Sequence, residues 1–265
     1  MPELPDVEGF RQVLVACGKG RVVRGVEVRD AGVLHGVSAR RLRTALEGRR
    51  FTEPERHGKW LLAHTGGPTL LLHFGMTGRL LCADPEDAVE PHDRVLFSLG
   101  ARHQLRYRDQ RKLRGLWLAE TDAEIVGLLA DQGPDAMTVG REEFETALRT
   151  HRGSLKTTLT DQSVLAGLGN LLADEILWRT RLHPGIRASD VTASDRRRLH
   201  TEMRRTLRSS VRAGLVPPRP SWLTGHRDDP DPSCPRCGTP LRRTRMSGRT
   251  AVWCPHCQRA PRGTS

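Results

Sequence analysis

No apolar run in the 265 residues approaches the ~20 needed to cross a bilayer, which excludes a helical membrane anchor. The opening Met1-Pro2-Glu3-Leu4-Pro5-Asp6 lacks the basic and then apolar stretches of a secretory signal, so a cytoplasmic protein is expected. Internal repeats are absent, which excludes a solenoid. The first 195 residues also lack net charge, with 27 Lys and Arg against 27 Asp and Glu. Residues 196–265 hold 16 Arg against 4 acidic residues and so carry the whole net charge of +12. Such asymmetry points to a polyanion, most simply nucleic acid held through its phosphates. An arginine-biased composition on solvated faces is the blander alternative.

Cysteine is sparse outside one cluster. Cys17 and Cys82 are isolated and are expected to be buried apolar residues. Cys234, Cys237, Cys254 and Cys257 form two C-x-x-C pairs with 16 residues between them, the spacing of a four-thiolate zinc site. Two disulfides or a redox pair are the alternatives: disulfides suit a cytosolic chain poorly, and redox C-x-x-C motifs rarely come doubled.

Periodicity divides the chain. Val7, Phe10, Val13, Leu14 and Cys17 fall at helical spacing, and Gly18 and Gly20 end the run. Short segments rich in Val and Leu follow, at 21–28, 60–65, 69–74, 79–82, 94–99, 104–107 and 115–119, separated by turn residues. They predict a β-sandwich or barrel. The spacing then predicts helices over 123–129, 141–150, 163–165, 171–181 and 193–213. Residues 216–232 hold five prolines and read as a linker. The expected fold is thus multidomain α+β: a β domain with an N-terminal helix over 1–122, a helical domain over 123–225 and a zinc hairpin over 229–262.

The N-terminus offers chemistry. A Met before the small Pro2 is normally trimmed, which frees a secondary amine. The reference pKa of an α-amine is ~7.7–8.0, so a useful fraction is neutral near pH 7. Such an amine can attack a sugar C1′ and form an iminium. Glu3 beside it offers a carboxylate for proton transfer at the sugar. The competing reading is that Pro2 and Pro5 simply bracket a first helical turn.

Context favours the chemical reading. Met1-Pro2-Glu3-Leu4-Pro5-Asp6-Val7-Glu8 resembles the N-terminal signature of the formamidopyrimidine-DNA glycosylase / endonuclease VIII family. The resemblance continues in order through Gly58-Lys59-Trp60, His73-Phe74-Gly75-Met76-Thr77-Gly78, Tyr107-Arg108-Asp109-Gln110-Arg111-Lys112-Leu113 and Gln132-Gly133-Pro134-Asp135. It ends with Gly167-Leu168-Gly169-Asn170-Leu171-Leu172-Ala173-Asp174-Glu175, similar to a helix-two-turn-helix, and Gly248-Arg249-Thr250, similar to a zinc-finger tip.

The resemblance implies a bifunctional DNA glycosylase and abasic-site lyase that acts on oxidatively damaged duplex DNA as a monomer. In this reading Pro2, Glu3 and Lys59 are catalytic. A flipped base costs a few kcal/mol of unstacking and leaves a gap, which Met76, Arg111 and Leu113 would fill. Lys156, Asn170, Arg249 and His92 would contact DNA, and Asp6 the sugar. One zinc would be structural, because four cysteines leave no position for water. The resemblance also implies that DNA lies across a cleft between the β and helical domains.

Departures bear on the substrate. Asp6 stands for a usual Glu, Leu113 for a common aromatic wedge, Leu172 for a common Tyr and Arg114 for a usual Gly. The segment from Ala213 to Cys234 is too short for the lesion-capping loop of typical 8-oxoguanine enzymes. Oxidised purines are expected first and oxidised pyrimidines next. An enzyme for abasic sites, a silent damage-binding paralogue and an unrelated zinc-ribbon protein are the other readings.

Overall fold

A computed structural model describes residues 2–100 and 102–259. The chain forms two compact units. One is Asp6–Ala130 with Pro2, and the other is Glu3–Pro5 with the chain from Asp131 onward.

The first unit is a β-sandwich with helices. Helix α1 (Leu4–Cys17) is followed by β1 (Val23–Val28), β2 (Leu34–His35), α2 (Ala39–Leu46), β3 (Glu55–His57), β4 (Trp60–His64), β5 (Thr69–His73), β6 (Arg79–Ala83), β7 (Asp93–Leu99), β8 (His103–Arg108) and β9 (Leu116–Ala119). One sheet runs β1-β7-β8-β6 and the other β2-β9-β5-β4-β3. Val7 and Leu14 of α1, Val26, Phe51, Leu61, Leu70, Phe97 and Leu105 belong to one buried cluster. The short β2 and β3 and helix α2 escaped the periodicity reading. Helix α2 carries two local signals, the Ser38 cap, which accepts from the Arg41 N–H, and the buried Leu42 and Leu46 one turn apart.

Strands β4 and β5 are buried at four successive positions each. Their second face is covered as well: Trp60, Leu62, Leu71 and Ala119 pack with Ile125, Leu128 and Leu129 of α3 (Asp122–Leu129). This packing corrects the expected boundary. Helix α3 belongs to the β unit, and the division falls after Ala130 rather than at 122.

Cys17 and Cys82 were expected to be buried apolar residues. They form a disulfide instead, with Cys17 buried in α1 and Cys82 exposed on β6. Sixty-five positions separate them in sequence, so no local signal pairs them.

The second unit contains α4 (Arg141–Thr150), α5 (Leu155–Thr160), α6 (Asn170–Thr180), α7 (Ala193–Ala213) and the hairpin β10 (Arg242–Met246) to β11 (Arg249–Trp253). The helix expected at 163–165 is a turn, and α5 lies just before it. Phe144, Leu148, Leu159, Ile176, Leu177, Met203 and Leu207 build the helical core. Leu4 belongs to that core. Helix α7 begins at the Thr192 cap and ends at Gly214, whose φ of 70° suits glycine. Among the described residues, no helix is long and apolar enough to cross a membrane.

Candidate active site and metal centre

The Gly167-Leu168-Gly169-Asn170 turn receives the N-terminal segment. The Glu3 side chain is buried over the start of α6, 1% exposed. Its Oε2 accepts from the N–H groups of Gly169 (3.0 Å) and Leu172 (3.1 Å), and its Oε1 from that of Leu171 (2.8 Å). These are the unpaired donors at a helix N-terminus, where partial positive charge favours a carboxylate. The Leu4 N–H donates to the Gly167 carbonyl at 3.1 Å. Both glycines are dictated by this docking. Gly167 has φ +113°, and a Cβ there would lie 2.6 Å from Leu4 Cδ1. Gly169 leaves the space that Glu3 fills.

Asn170 is the first residue of α6, not its cap. Gly169 is the cap and makes no side-chain bond. The Asn170 Oδ1 is buried without a hydrogen-bond partner among the described residues. Its amide is therefore not used up by the helix end. Pro2 is half-buried, and Asp6 lies half-buried in the first turn of α1.

Within the β unit, two loops are tied together at one end of the sandwich. The Thr77 hydroxyl donates to Asp109 Oδ1 at 2.5 Å and accepts from the Arg111 N–H at 3.1 Å. Arg111 Nη1 lies 3.1 Å from Met76 Sδ. The structure therefore brings Met76 and Arg111 together and leaves Met76 and Leu113 exposed, at 40% and 50%. Apolar side chains held in solvent by a braced loop are poor core residues and good wedges. His92 is exposed beside the same loop. Its carbonyl accepts from the Asp109 N–H at 3.0 Å, and its ring Nδ1 is 3.3 Å from Arg94 Nη2.

Lys59 occupies the two-residue turn between β3 and β4 and is buried. His73 opens the His73–Gly78 motif quoted from the sequence, where it is given no role of its own. It lies at the end of β5, edge-on to Trp60 at 5.0 Å. Burial, then the charges of Arg114 and Lys59, push its pKa down to about 4. Its Nδ1 accepts from the Gly75 N–H at 3.1 Å, which assigns the proton to Nε2. A neutral imidazole donor of fixed tautomer thus stands at the foot of the Met76 loop.

The four cysteines converge. Their sulfurs all lie within 4.8 Å of one another. Cys234–Cys257, Cys237–Cys254 and Cys237–Cys257 are separated by 4.0, 3.6 and 3.6 Å. A tetrahedron with Zn–S bonds of ~2.3 Å has edges of about 3.8 Å, so the donor set fits one zinc ion. The surrounding contacts orient the ligands. The Trp178 Nε1–H points at the Cys234 sulfur at 3.3 Å. Gln258 is fully buried: its Oε1 accepts from the Cys254 N–H, and its Nε2 donates to the Leu182 carbonyl, each at 2.9 Å.

Lys156 is corrected. The expected phosphate ligand is 1% exposed, and its Nζ donates to Asp174 Oδ1 (2.5 Å) and the Thr250 carbonyl (2.7 Å). Burial drives the Lys156 pKa down and that of Asp174 up, and each partner's charge opposes the drift. Asp174 also accepts from the Val252 N–H at 3.2 Å and pairs with Arg227 at 3.3 Å. The pair therefore fastens the zinc hairpin to α6. Arg249 follows the Ser247-Gly248 turn, remains exposed and donates to the Thr160 carbonyl at 3.0 Å.

Comparison with known proteins places this geometry. Residues 1–116 match the formamidopyrimidine-DNA glycosylase N-terminal domain, 131–216 its H2TH domain, and 233–260 the zinc finger found in FPG and IleRS. The chain belongs to the formamidopyrimidine-DNA glycosylase family. It is 35% identical to the formamidopyrimidine-DNA glycosylase of Heliobacterium modesticaldum over 98% of this chain and 100% of that relative. The relative from Symbiobacterium thermophilum is 34% identical over 100% of this chain and 92% of its own length. Among solved structures, the Lactococcus lactis family member bound non-covalently to abasic-site DNA superposes with TM-score 0.89 at 27% identity. It covers 98% of this chain and 100% of its own. A MutM complex with DNA containing carbocyclic 8-oxoguanine gives 0.89 at 26% identity, with the same coverage.

Proposed function

We propose that this family member is a DNA glycosylase and abasic-site lyase whose nucleophile is the Pro2 amine. The observation that carries the reading is the docking of Glu3. Three backbone N–H groups and two space-making glycines fix the residue next to Pro2 at a turn that ends in Asn170, whose Oδ1 has no hydrogen-bond partner among the described residues. Fixing a nucleophile in this way removes much of the entropic part of a barrier.

In the proposed reaction the neutral Pro2 nitrogen forms a bond to C1′ as the bond to the damaged base breaks, and the base leaves with a proton. The nitrogen loses its own proton, the sugar ring opens and an iminium forms. Glu3 moves the proton at the ring oxygen. Loss of the C2′ proton then expels the 3′ phosphate, a second elimination expels the 5′ phosphate, and water releases Pro2. Lys59 assists this chemistry. Met76, Arg111 and Leu113 fill the gap in the duplex, and Asn170, Arg249 and His92 hold phosphates. Zinc, bound by the four cysteines, supplies rigidity and no chemistry.

Oxidised purines are the first substrate class, in keeping with the relatives' names. A second class, oxidised pyrimidines, is favoured by the segment after α7. Trp222 is buried under Arg179, whose guanidinium lies 4.3 Å from its ring, and the Thr224 N–H donates to the buried Glu175 at 3.0 Å. A segment pinned onto α6 in this way is not a loop that closes over one base. Cytoplasmic residence fits a chromosomal substrate.

Borohydride trapping on abasic-site DNA tests the mechanism. A covalent adduct whose N-terminal peptide begins at modified Pro2 is expected, and Pro2→Thr or a blocked terminus should abolish it. An adduct on a lysine, or none, refutes the nucleophile. Excision from single-lesion duplexes then ranks the two substrate classes.

A further inference from the structure

A basic pocket lies in the β unit away from every residue assigned above. Its volume is about 420 Å³, and it is lined by Arg21, Arg24, Arg50, Arg102 and His103 over Leu99. Among the described residues, no carboxylate pairs with any of the four arginines. The acids flanking Arg50 in sequence are engaged elsewhere: Glu47 accepts from the Val26 N–H, and Glu53 pairs with Lys19 and Arg11. Two guanidiniums are pinned. Arg21 Nη1 donates to the Ala16 carbonyl at 3.0 Å while its Nη2 lies 3.5 Å from His103 Nε2, and Arg50 donates to the Gly20 carbonyl. Arg24 and Arg102 are exposed, and their guanidiniums make no hydrogen bond among the described residues.

Like charges gathered in one concavity repel unless an anion joins them. Guanidinium forks match the geometry of phosphate oxygens, and two forks held in place lower the ordering cost of binding. The pocket also stands apart from the lesion-contact loops. The β7–β8 ladder runs from Leu99 opposite His103 to Asp93 opposite Arg108. Five residue steps at ~3.4 Å place the pocket about 17 Å from the end that bears Asp109 and Arg111.

We propose that this pocket is a second phosphate-binding site, which goes beyond the lesion chemistry and does not depend on it. The phosphate comes either from DNA backbone outside the lesion contacts or from a small polyphosphate, and the arms of one experiment separate these sources. R24A/R102A removes two cations that support nothing in the fold, so its melting temperature should match the parent. Binding of an undamaged 30-base-pair duplex, by anisotropy across a salt series, and of tripolyphosphate, by calorimetry, is measured on the full chain. If the source is DNA, duplex affinity falls at least tenfold and the log–log salt slope shrinks by about 1.8, two phosphate contacts at ~0.9 each. If the source is a small polyphosphate, tripolyphosphate binding is lost and duplex binding stays within twofold. R24K/R102K keeps the charge without the forks and should recover less than half of either loss. Both ligands binding R24A/R102A within twofold of the parent, or full recovery by the lysine variant, would overturn the site.

Discussion

Glu3 and Gly169 leave no room for a side chain between them: a Cβ on residue 169 would lie 2.3 Å from Glu3 Cδ. Gly169→Ala must therefore push the carboxylate off the helix end or shift the turn. A misplacement of ~1 Å near reacting atoms costs roughly 100-fold in rate. Trapping by Gly169→Ala should fall by about that factor, whereas the exposed Met76→Ala should leave trapping on single-stranded abasic DNA unchanged. Burial of Glu3 without its N–H partners should also lower the melting temperature. A variant with parental trapping and melting would show that the Glu3 dock is dispensable.

That turn shows how much the sequence disclosed. The string Gly167–Asn170 was legible as a motif, but the reason for its glycines was not, because Leu4 and Glu3 lie more than 160 positions away in sequence. The β-sandwich was legible where strands alternate or run apolar between turn residues. Helix α3 was misassigned because its partners, Trp60 and Leu71, are far off in sequence. Lys156 reads as a phosphate ligand only through the family resemblance, and it takes the fold to set the buried Asp174 against it. The zinc ligands were fully legible, since the spacing of the knuckles is itself the metal geometry.

Zinc should be present at about one equivalent and should matter for DNA rather than for the nucleophile. The Asp174 bonds to Arg227 and the Val252 N–H, with Lys156 bound to Asp174 and to Thr250, hold the hairpin from outside the cysteines. The hairpin's own fold depends on the metal. Chelation, or Cys237→Ser, should weaken duplex binding at least roughly tenfold through loss of Arg249 and should lower the melting temperature. The circular dichroism of the β-sandwich should persist. Undiminished affinity in metal-free protein would count against a structural zinc.

His73 sets an acid limit. Its pKa is pushed down to about 4 in the fold and rises to the ordinary ~6.5 on unfolding. Above pH 6.5 both states are neutral and the group contributes no pH dependence. As pH falls from 6.5 to 4 only the unfolded chain takes up the proton, so stability declines. The decline is on the order of 3 kcal/mol at 1.36 kcal/mol per unit. His73→Phe should flatten the melting temperature between pH 7 and 4.5 relative to the parent. Parallel curves for the two proteins would place the acid sensitivity elsewhere.

The Cys17–Cys82 bridge joins the end of α1, the helix that follows Pro2, to β6, the strand that follows the Met76 loop. Closure of a 65-position loop restricts the unfolded chain by about 4 kcal/mol in the chain-entropy view. At ~2–4 °C per kcal/mol this is a shift of roughly 10 °C. The exposed Cys82 gives a reductant access, so the bridge should open in a thiol-rich compartment. Zinc-stripped, unreduced protein should titrate four thiols in denaturant, and reduced protein six. The parent should melt roughly 10 °C lower with reductant, whereas C17A/C82A should melt at one temperature in both conditions. Six titratable thiols in unreduced protein, or a variant that melts within 2 °C of the oxidised parent, would show that the bridge adds nothing to the fold.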